Sequence, residues 1–373
     1  MANDKDFLVN GPVVVGKDTK VTVGSITSSD IDLSTGNYFA DTLAANTTYT
    51  LSNAGDVQSF QLEVTGVVIE YNLSGVTLDS GQTLSFSANE TSPSMGAIST
   101  DGTKVYVAGT AGVGSIVYQY NLSTPYDLTT GSLASQKTVT SEASNPDALT
   151  FSYDGTKMYV GQNTVVYQYT LSTPWVVSTA SYDSKTLSIV GVVVGLSISS
   201  DGTKFYSVRK GTPDTIYQYT LSTANDISTA TGGGSINVDS IETSCTSGAI
   251  NSDGTKFYIM SRTQMHELNL STAYDITTAV YNSVSFTHGL STVEGSGLAS
   301  TDQYFILMAS DDDTFRRVSM TASDATLTWP SSIEWAGGVA PSAPANGETD
   351  VYTFTTDDGG TTYTGVKSID NAS

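Results

Sequence analysis

Asp101-Gly102-Thr103-Lys104 returns as Asp154-Gly155-Thr156-Lys157, Asp201-Gly202-Thr203-Lys204 and Asp253-Gly254-Thr255-Lys256, in steps of 53, 47 and 52 residues. A short strand-forming run precedes each copy, as at Ile98-Ser99, and an alternating run follows, as at Val105-Tyr106-Val107. Asp-Gly between alternating runs signals a hairpin, because both central residues of the tightest such turns favour positive φ. Strand-only content at a period near 50 residues predicts propeller blades or the turns of a solenoid.

Calling the strands before and after the turn a and b, a third strand, c, follows at Val117-Tyr118-Gln119-Tyr120, Val166-Tyr167-Gln168-Tyr169, Ile216-Tyr217-Gln218-Tyr219 and Met265-His266-Glu267-Leu268. A polar loop and a fourth strand, d, come next, as at Lys185-Thr186-Leu187-Ser188-Ile189 and Ser283-Val284-Ser285-Phe286. Strand c has further copies at Val68-Ile69-Glu70-Tyr71-Asn72-Leu73 and, weakly, at Phe315-Arg316-Arg317-Val318. A fifth a–b pair reads Gly297-Leu298-Ala299 and Phe305-Ile306-Leu307, with Asp302-Gln303 in place of the usual turn, and the first d strand is Leu84-Ser85-Phe86. An outer strand at the start and a blade lacking its outer strand at the end are what ring closure requires, since pairing them removes an open sheet edge. The sequence therefore predicts an all-β fold with a five-bladed β-propeller, Val68 to Leu73 being a surplus strand that leads in or pairs elsewhere. Six blades is the alternative if that strand nucleates a reduced sheet.

Of 373 residues, 38% are hydrophobic and 14% charged, and 37 acidic residues against 15 basic ones give a net charge of −22. The chain can bury real cores. Its charge repels phosphate backbones and anionic lipid, so no nucleic-acid or membrane-surface role is expected. The single cysteine, Cys245, allows no internal disulfide and reads as a small buried hydrophobe. Met1 to Phe7, with Asp4, Lys5 and Asp6, does not read as a signal peptide.

The sequence divides into an N-terminal arm at 1–28, a small β domain split into 29–66 and 324–373, and the propeller at 67–323. The arm carries Phe7-Leu8-Val9 and a hairpin pattern from Val13-Val14-Val15 to Val21-Thr22-Val23. The split halves carry Phe60-Gln61-Leu62-Glu63-Val64 and Val351-Tyr352-Thr353-Phe354, neither with enough strands to stand alone. Because the ends of a closed propeller lie close together, its insertion between them is topologically easy.

The string Ile31-Asp32-Leu33-Ser34-Thr35-Gly36-Asn37-Tyr38-Phe39, continuing to Ala45-Asn46-Thr47-Thr48, resembles the opening of a small β module of tailed, especially marine, bacteriophage structural and tail proteins. Thr328-Trp329-Pro330-Ser331-Ser332, Trp335, Gly337-Gly338, Ala340-Pro341 and Asp357-Asp358-Gly359-Gly360-Thr361-Thr362 resemble its close, placing the insertion near Thr65 and Asp324. The Asp-Gly-Thr-Lys repeats are similar to propeller repeats in such proteins. The resemblance implies a virion exterior location on tail or capsid, assembly as a homo-oligomer, and attachment to other virion proteins through residues 1–66. It also implies a tail- or fibre-associated role in which the propeller meets host-surface glycan. A purely architectural head decoration or tail adaptor is the alternative, and a polysaccharide depolymerase a further one.

No residue pattern points to catalysis or to a cofactor. The two histidines, His266 and His288, fit no zinc or triad pattern, and no nonrepeating pair of carboxylates with a helper suggests glycoside hydrolysis. Asp311, Asp312 and Asp313 are a weak calcium candidate, set against the reading of a solvated loop. Lys104, Lys157, Lys204 and Lys256 recur as edge residues that discourage sheet aggregation. Among 21 tyrosines, those repeated in register at 106, 159, 206 and 258 and at 118, 167 and 217 predict packing between blades. Tyr126, Tyr153, Trp175 and Tyr274, taken as unrepeated aromatics, are the expected ligand contacts.

Overall fold

The computed structural model describes residues 21–43, 46–110, 114–299 and 301–370. Most of the N-terminal arm lies outside them; of its hairpin pattern only Val21-Thr22-Val23 is described, and Val23 forms a parallel bridge with Tyr38. The chain divides into two compact units, residues 71–322 and residues 1–70 with 323–373.

Unit 71–322 is a five-bladed propeller. Four antiparallel sheets follow chain order from axis to rim, the first being Pro93–Ile98, Lys104–Gly109, Ile116–Leu122 and Gly131–Thr138. The second begins at Ala148–Phe151, the third at Val193–Ile198 and the fourth at Cys245–Ile250. The fifth takes Val293–Leu298, Tyr304–Ala309 and Thr314–Asp324 from the end of the chain and Val68–Ser85 from its beginning. Phe86 N–H donates to Asp313 O at 2.9 Å, and the Phe86 ring meets Phe315 at 4.9 Å. The sixth candidate c strand is not a separate element. Val68 to Leu73 opens the same continuous strand that closes the ring, which removes both the surplus strand and the six-blade alternative.

The second strand of each blade is buried on both sides, as in Val105 to Gly109, because neighbouring blades cover both faces. Outer strands alternate between exposed and half-buried, as expected where one face meets water. At the axis the inner strands crowd. A Cβ on Gly295 would lie 2.4 Å from Gly96 N, and one on Gly195 would lie 2.8 Å from Gly248 N. Ser197 Oγ accepts from Ile250 N at 3.1 Å, and Ser296 Oγ lies 3.2 Å from Ser247 Oγ. Only glycine and small hydroxyl residues fit so close an approach.

The Asp-Gly turns differ from the expected two-residue hairpin. Five residues, 99–103, join the first two strands, and only the glycine of each Asp-Gly pair has positive φ, between 67° and 75°. The aspartate acts as a local cap instead: Asp101 accepts from Thr103 N at 2.9 Å, Thr103 Oγ1 at 2.8 Å and Ser99 Oγ at 2.6 Å, and Asp154 and Asp201 do the same. A short polar side chain bonding its own backbone two residues on replaces the mirror-image turn.

In the other unit, Gln58–Thr65 from the first half pairs antiparallel with Thr349–Thr356 from the second over the full length of both strands. Ile333–Trp335, Tyr363–Ile369, these two strands and Tyr38–Thr42 form one five-stranded sheet. A three-stranded sheet of Ile26–Thr27, Asp30–Asp32 and Thr50–Ser52 contributes Ile31 to the same core as Phe60, Val64, Tyr352 and Phe354. Trp329 and Trp335 pack there too, their rings 4.9 Å apart. Among the described residues no helix is long and apolar enough to cross a membrane.

Candidate functional site

The repeated tyrosines and glutamines hold adjacent blades together. Tyr106 Oη donates to Trp175 O in the second blade, Tyr159 Oη to Asn225 O in the third and Tyr206 Oη to Tyr274 O in the fourth, each at 2.8 Å. Beside them Gln119, Gln168 and Gln218 accept from the backbone N–H of Val177, Ile227 and Ile276 at 2.8–3.0 Å. At the fourth-to-fifth junction Tyr258 donates to Tyr71 O, and Glu267, paired with the buried Lys256 at 3.0 Å, accepts from Leu73 N. The closing junction substitutes other groups: Arg317 donates to Tyr126 O at 2.8 Å and to Asp79, while Gln82 Oε1 accepts from Leu128 N at 2.9 Å. These residues are structural, and each buried bond contributes about 1 kcal/mol.

Tyr126, Trp175 and Tyr274, read from sequence as unrepeated, occupy one repeat position together with Asn225. All four are left-handed, with φ of 62–65°. Each donates its N–H to the glycine carbonyl of its own blade's turn at 2.8–3.0 Å and lies against that glycine. A Cβ on Gly102 would lie 2.2 Å from the Tyr126 ring, and one on Gly155 would lie 2.3 Å from Trp175. The equivalence was hidden because the side chain varies while the backbone conformation is shared. Tyr126 and Tyr274 are occupied in packing: Tyr126 Oη donates to Thr100 O, and Tyr274 Oη bonds Ser252 O and Ser200.

Tyr153 and Trp175, by contrast, line a cavity of about 90 Å³ on the propeller axis, at the end where the a–b turns emerge. All five inner strands reach it, and Thr100, Ser200, Ser252 and Asp302 are among its polar lining, with Thr150, Ser197, Asn251 and Ser296. Tyr153, 38% exposed, stands where the first, third and fourth blades have Thr100, Ser200 and Ser252.

Asp302 breaks the symmetry of this cavity. Its N–H donates to Ala299 O at 2.9 Å as Gly102 N–H does to Ser99 O, and its φ is 56°, so it fills the glycine position and Thr301 the aspartate position. Thr301-Asp302, one residue earlier than Asp302-Gln303, therefore stands where the other blades have Asp-Gly. The fifth blade can hold a side chain there because it has no c–d loop to lay a residue over the turn: its third strand runs on to Asp324 and its outer strand arrives from Val68–Ser85. The Asp302 carboxylate accepts from Ser252 N at 3.0 and 3.1 Å and Ser252 Oγ at 2.5 Å. Burial pushes its carboxyl up to about 6, Asp253 adding to the rise while the Ser252 bonds and Lys256 oppose it.

The calcium candidate does not assemble. Asp312 pairs with Arg316 and accepts from Thr314, while the left-handed Asp313 has its carbonyl on Phe86 N. Among the described residues no group of three or more His, Cys, Asp or Glu is placed to hold a metal ion. The lysines are not equivalent edge residues: Lys256 is buried against Glu267, Lys157 reaches Asp183 at 3.4 Å, and Lys204 bonds Thr220. His266 is buried beside Tyr281 and Glu242, and Cys245 is buried with its thiol held well above the ordinary range by burial and then by Asp214.

No family model matches the sequence, and no curated protein matches it. The structure is similar to the crystal structure of the RRP9 WD40 repeats, with 6% identity, TM-score 0.39, and 66% of this chain and 100% of that one covered. It is also similar to a functionally unknown protein from Desulfotomaculum acetoxidans DSM 771, at 12% identity and TM-score 0.39, covering 65% of this chain and 88% of that one.

Proposed function

We propose that the chain is a structural protein of a tailed-bacteriophage particle that displays its propeller toward glycan on the host surface. The observation that carries this reading is the split unit: the two halves that contain the segments resembling the phage module share one sheet, joined by Gln58–Thr65 against Thr349–Thr356, with residues 71–322 as the excursion between them. Trp329 and Trp335, which belong to that resemblance, are partly buried against the core of this unit. A strongly acidic chain whose propeller presents repeated turns suits repeated weak contact with neutral or cationic sugars and repels anionic surfaces.

The test is localisation in purified particles by labelled antibody, with binding of the purified full chain to host cells. Labelling at the tail or fibre, and cell binding abolished by stripping surface polysaccharide, are the expected results. Labelling confined to the head, or undiminished binding to stripped cells, overturns the host-contact role.

A further inference from the structure

The axial cavity departs from five-fold repetition at Asp302 and Tyr153, the two features that packing of the ring does not demand. Aliphatic side chains of the inner strands form much of its wall, and hydroxyls, the Asp302 carboxylate and the rings of Phe151, Tyr153 and Trp175 supply the rest of its chemistry. Ser200 Oγ bonds Ser252 O and Tyr274 Oη, while Ser252 Oγ donates to Asp302, so the Ser252 hydroxyl keeps lone pairs for a guest. Among the described residues the donors to Asp302 are neutral, both from Ser252, and no lysine or arginine lines the cavity. Lys256, the cation that acts on Asp302 electrostatically, is itself bonded to Glu267 and Tyr71 O. A half-buried carboxylate whose hydrogen-bond donors are neutral is best offset by a cation. An anionic guest is repelled.

We propose that this cavity binds an amino sugar, a pyranose carrying a primary ammonium, with the ammonium on Asp302 and the ring against Tyr153 and Trp175. At about 30 Å³ per water the cavity of about 90 Å³ holds roughly three water-sized positions, enough for the ammonium and the carbon that bears it, with the rest of the sugar at its mouth. The left-handed Asp302 is fixed through both oxygens, so the acceptor is in place before the guest arrives. The assignment deepens the glycan reading and rests on it for the polymer to which the sugar belongs.

The experiment is titration of the full chain near neutral pH with glucosamine, N-acetylglucosamine, glucose and methylammonium, followed by ligand-observed NMR and calorimetry. Glucosamine is expected to saturate and to bind at least about tenfold tighter than the other three. Asp302→Asn, which keeps an acceptor for Ser252 and tolerates the left-handed backbone, should erase the preference for glucosamine over its acetylated form. Tyr153→Ala, at the exposed rim, should weaken every sugar and leave methylammonium unchanged. Absence of saturable glucosamine binding, equal affinity for glucose, methylammonium binding as tightly as glucosamine, or a preference that survives Asp302→Asn overturns the proposal. Those results leave polysaccharide-dependent cell binding as a separate question, so the two readings fail independently.

Discussion

Asp302 ties the stability of the propeller to pH. In the unfolded chain its carboxyl titrates near 3.8, whereas in the folded protein burial beside Ser252 raises it to about 6. Because the folded value is the higher one, the native state binds a proton that the unfolded state releases between these values, and stability falls as pH rises through that window. Below 3.8 both states are protonated and the penalty is absent; above about 6 both are ionised and it is complete. At roughly 1.4 kcal/mol per pH unit the difference amounts to about 3 kcal/mol, and partial exposure reduces it to about 2–3 kcal/mol. Asp302→Asn removes the titration, and any change in its bonding to Ser252 is a pH-independent offset. Urea denaturation of both proteins, following the propeller transition from pH 4 to 7, should show the variant gaining about 2–3 kcal/mol over the parent as pH rises. A difference that is flat with pH, or that shrinks, would refute the assignment of a buried, neutral-partnered carboxylate at the axis.

Gln218→Leu should lower propeller stability by about 1–3 kcal/mol, because the Ile276 N–H it receives is left buried without an acceptor, while Gln136→Leu on an exposed outer strand should stay within about 0.5 kcal/mol. Urea midpoints of the two variants check the contrast. Gly155→Ala places a methyl 2.3 Å from the Trp175 ring at φ +69° and should destabilise more than Gly289→Ala, which has φ +73° and nothing within 4 Å and so loses only about 1–2 kcal/mol of backbone preference. Differential melting, with Trp175 fluorescence as local reporter, separates the two. Phe86→Ala removes a fully buried ring packed on Phe315 at the ring closure and should cost about 3–5 kcal/mol by denaturation; a loss under about 1 kcal/mol would argue against that closure.

The repeat period, the strand-only content and the complementary ends were legible in the sequence, because β-strand alternation and turn punctuation are local signals and a blade missing its outer strand is a matter of order along the chain. The tyrosines and glutamines repeated in register likewise announced inter-blade packing. Their partners did not show: Tyr106 reaches Trp175 and Gln168 reaches Ile227 across 69 and 59 residues, and no local pattern encodes such distances. The shared position of Tyr126, Trp175, Asn225 and Tyr274 escaped for a related reason, since what they have in common is a left-handed backbone, not a side chain.

By itself, then, the order of residues dictated blades, their number once ends are matched, and the division of the smaller unit into two pieces. Only the folded ring decided that Val68 to Ser85 is one strand, that Asp302 sits in a glycine's place, and that Tyr153 and Trp175 line one axial cavity with it. The physical reason is that five inner strands far apart in sequence converge on one line, where a single departure from the repeat has neighbours from every blade.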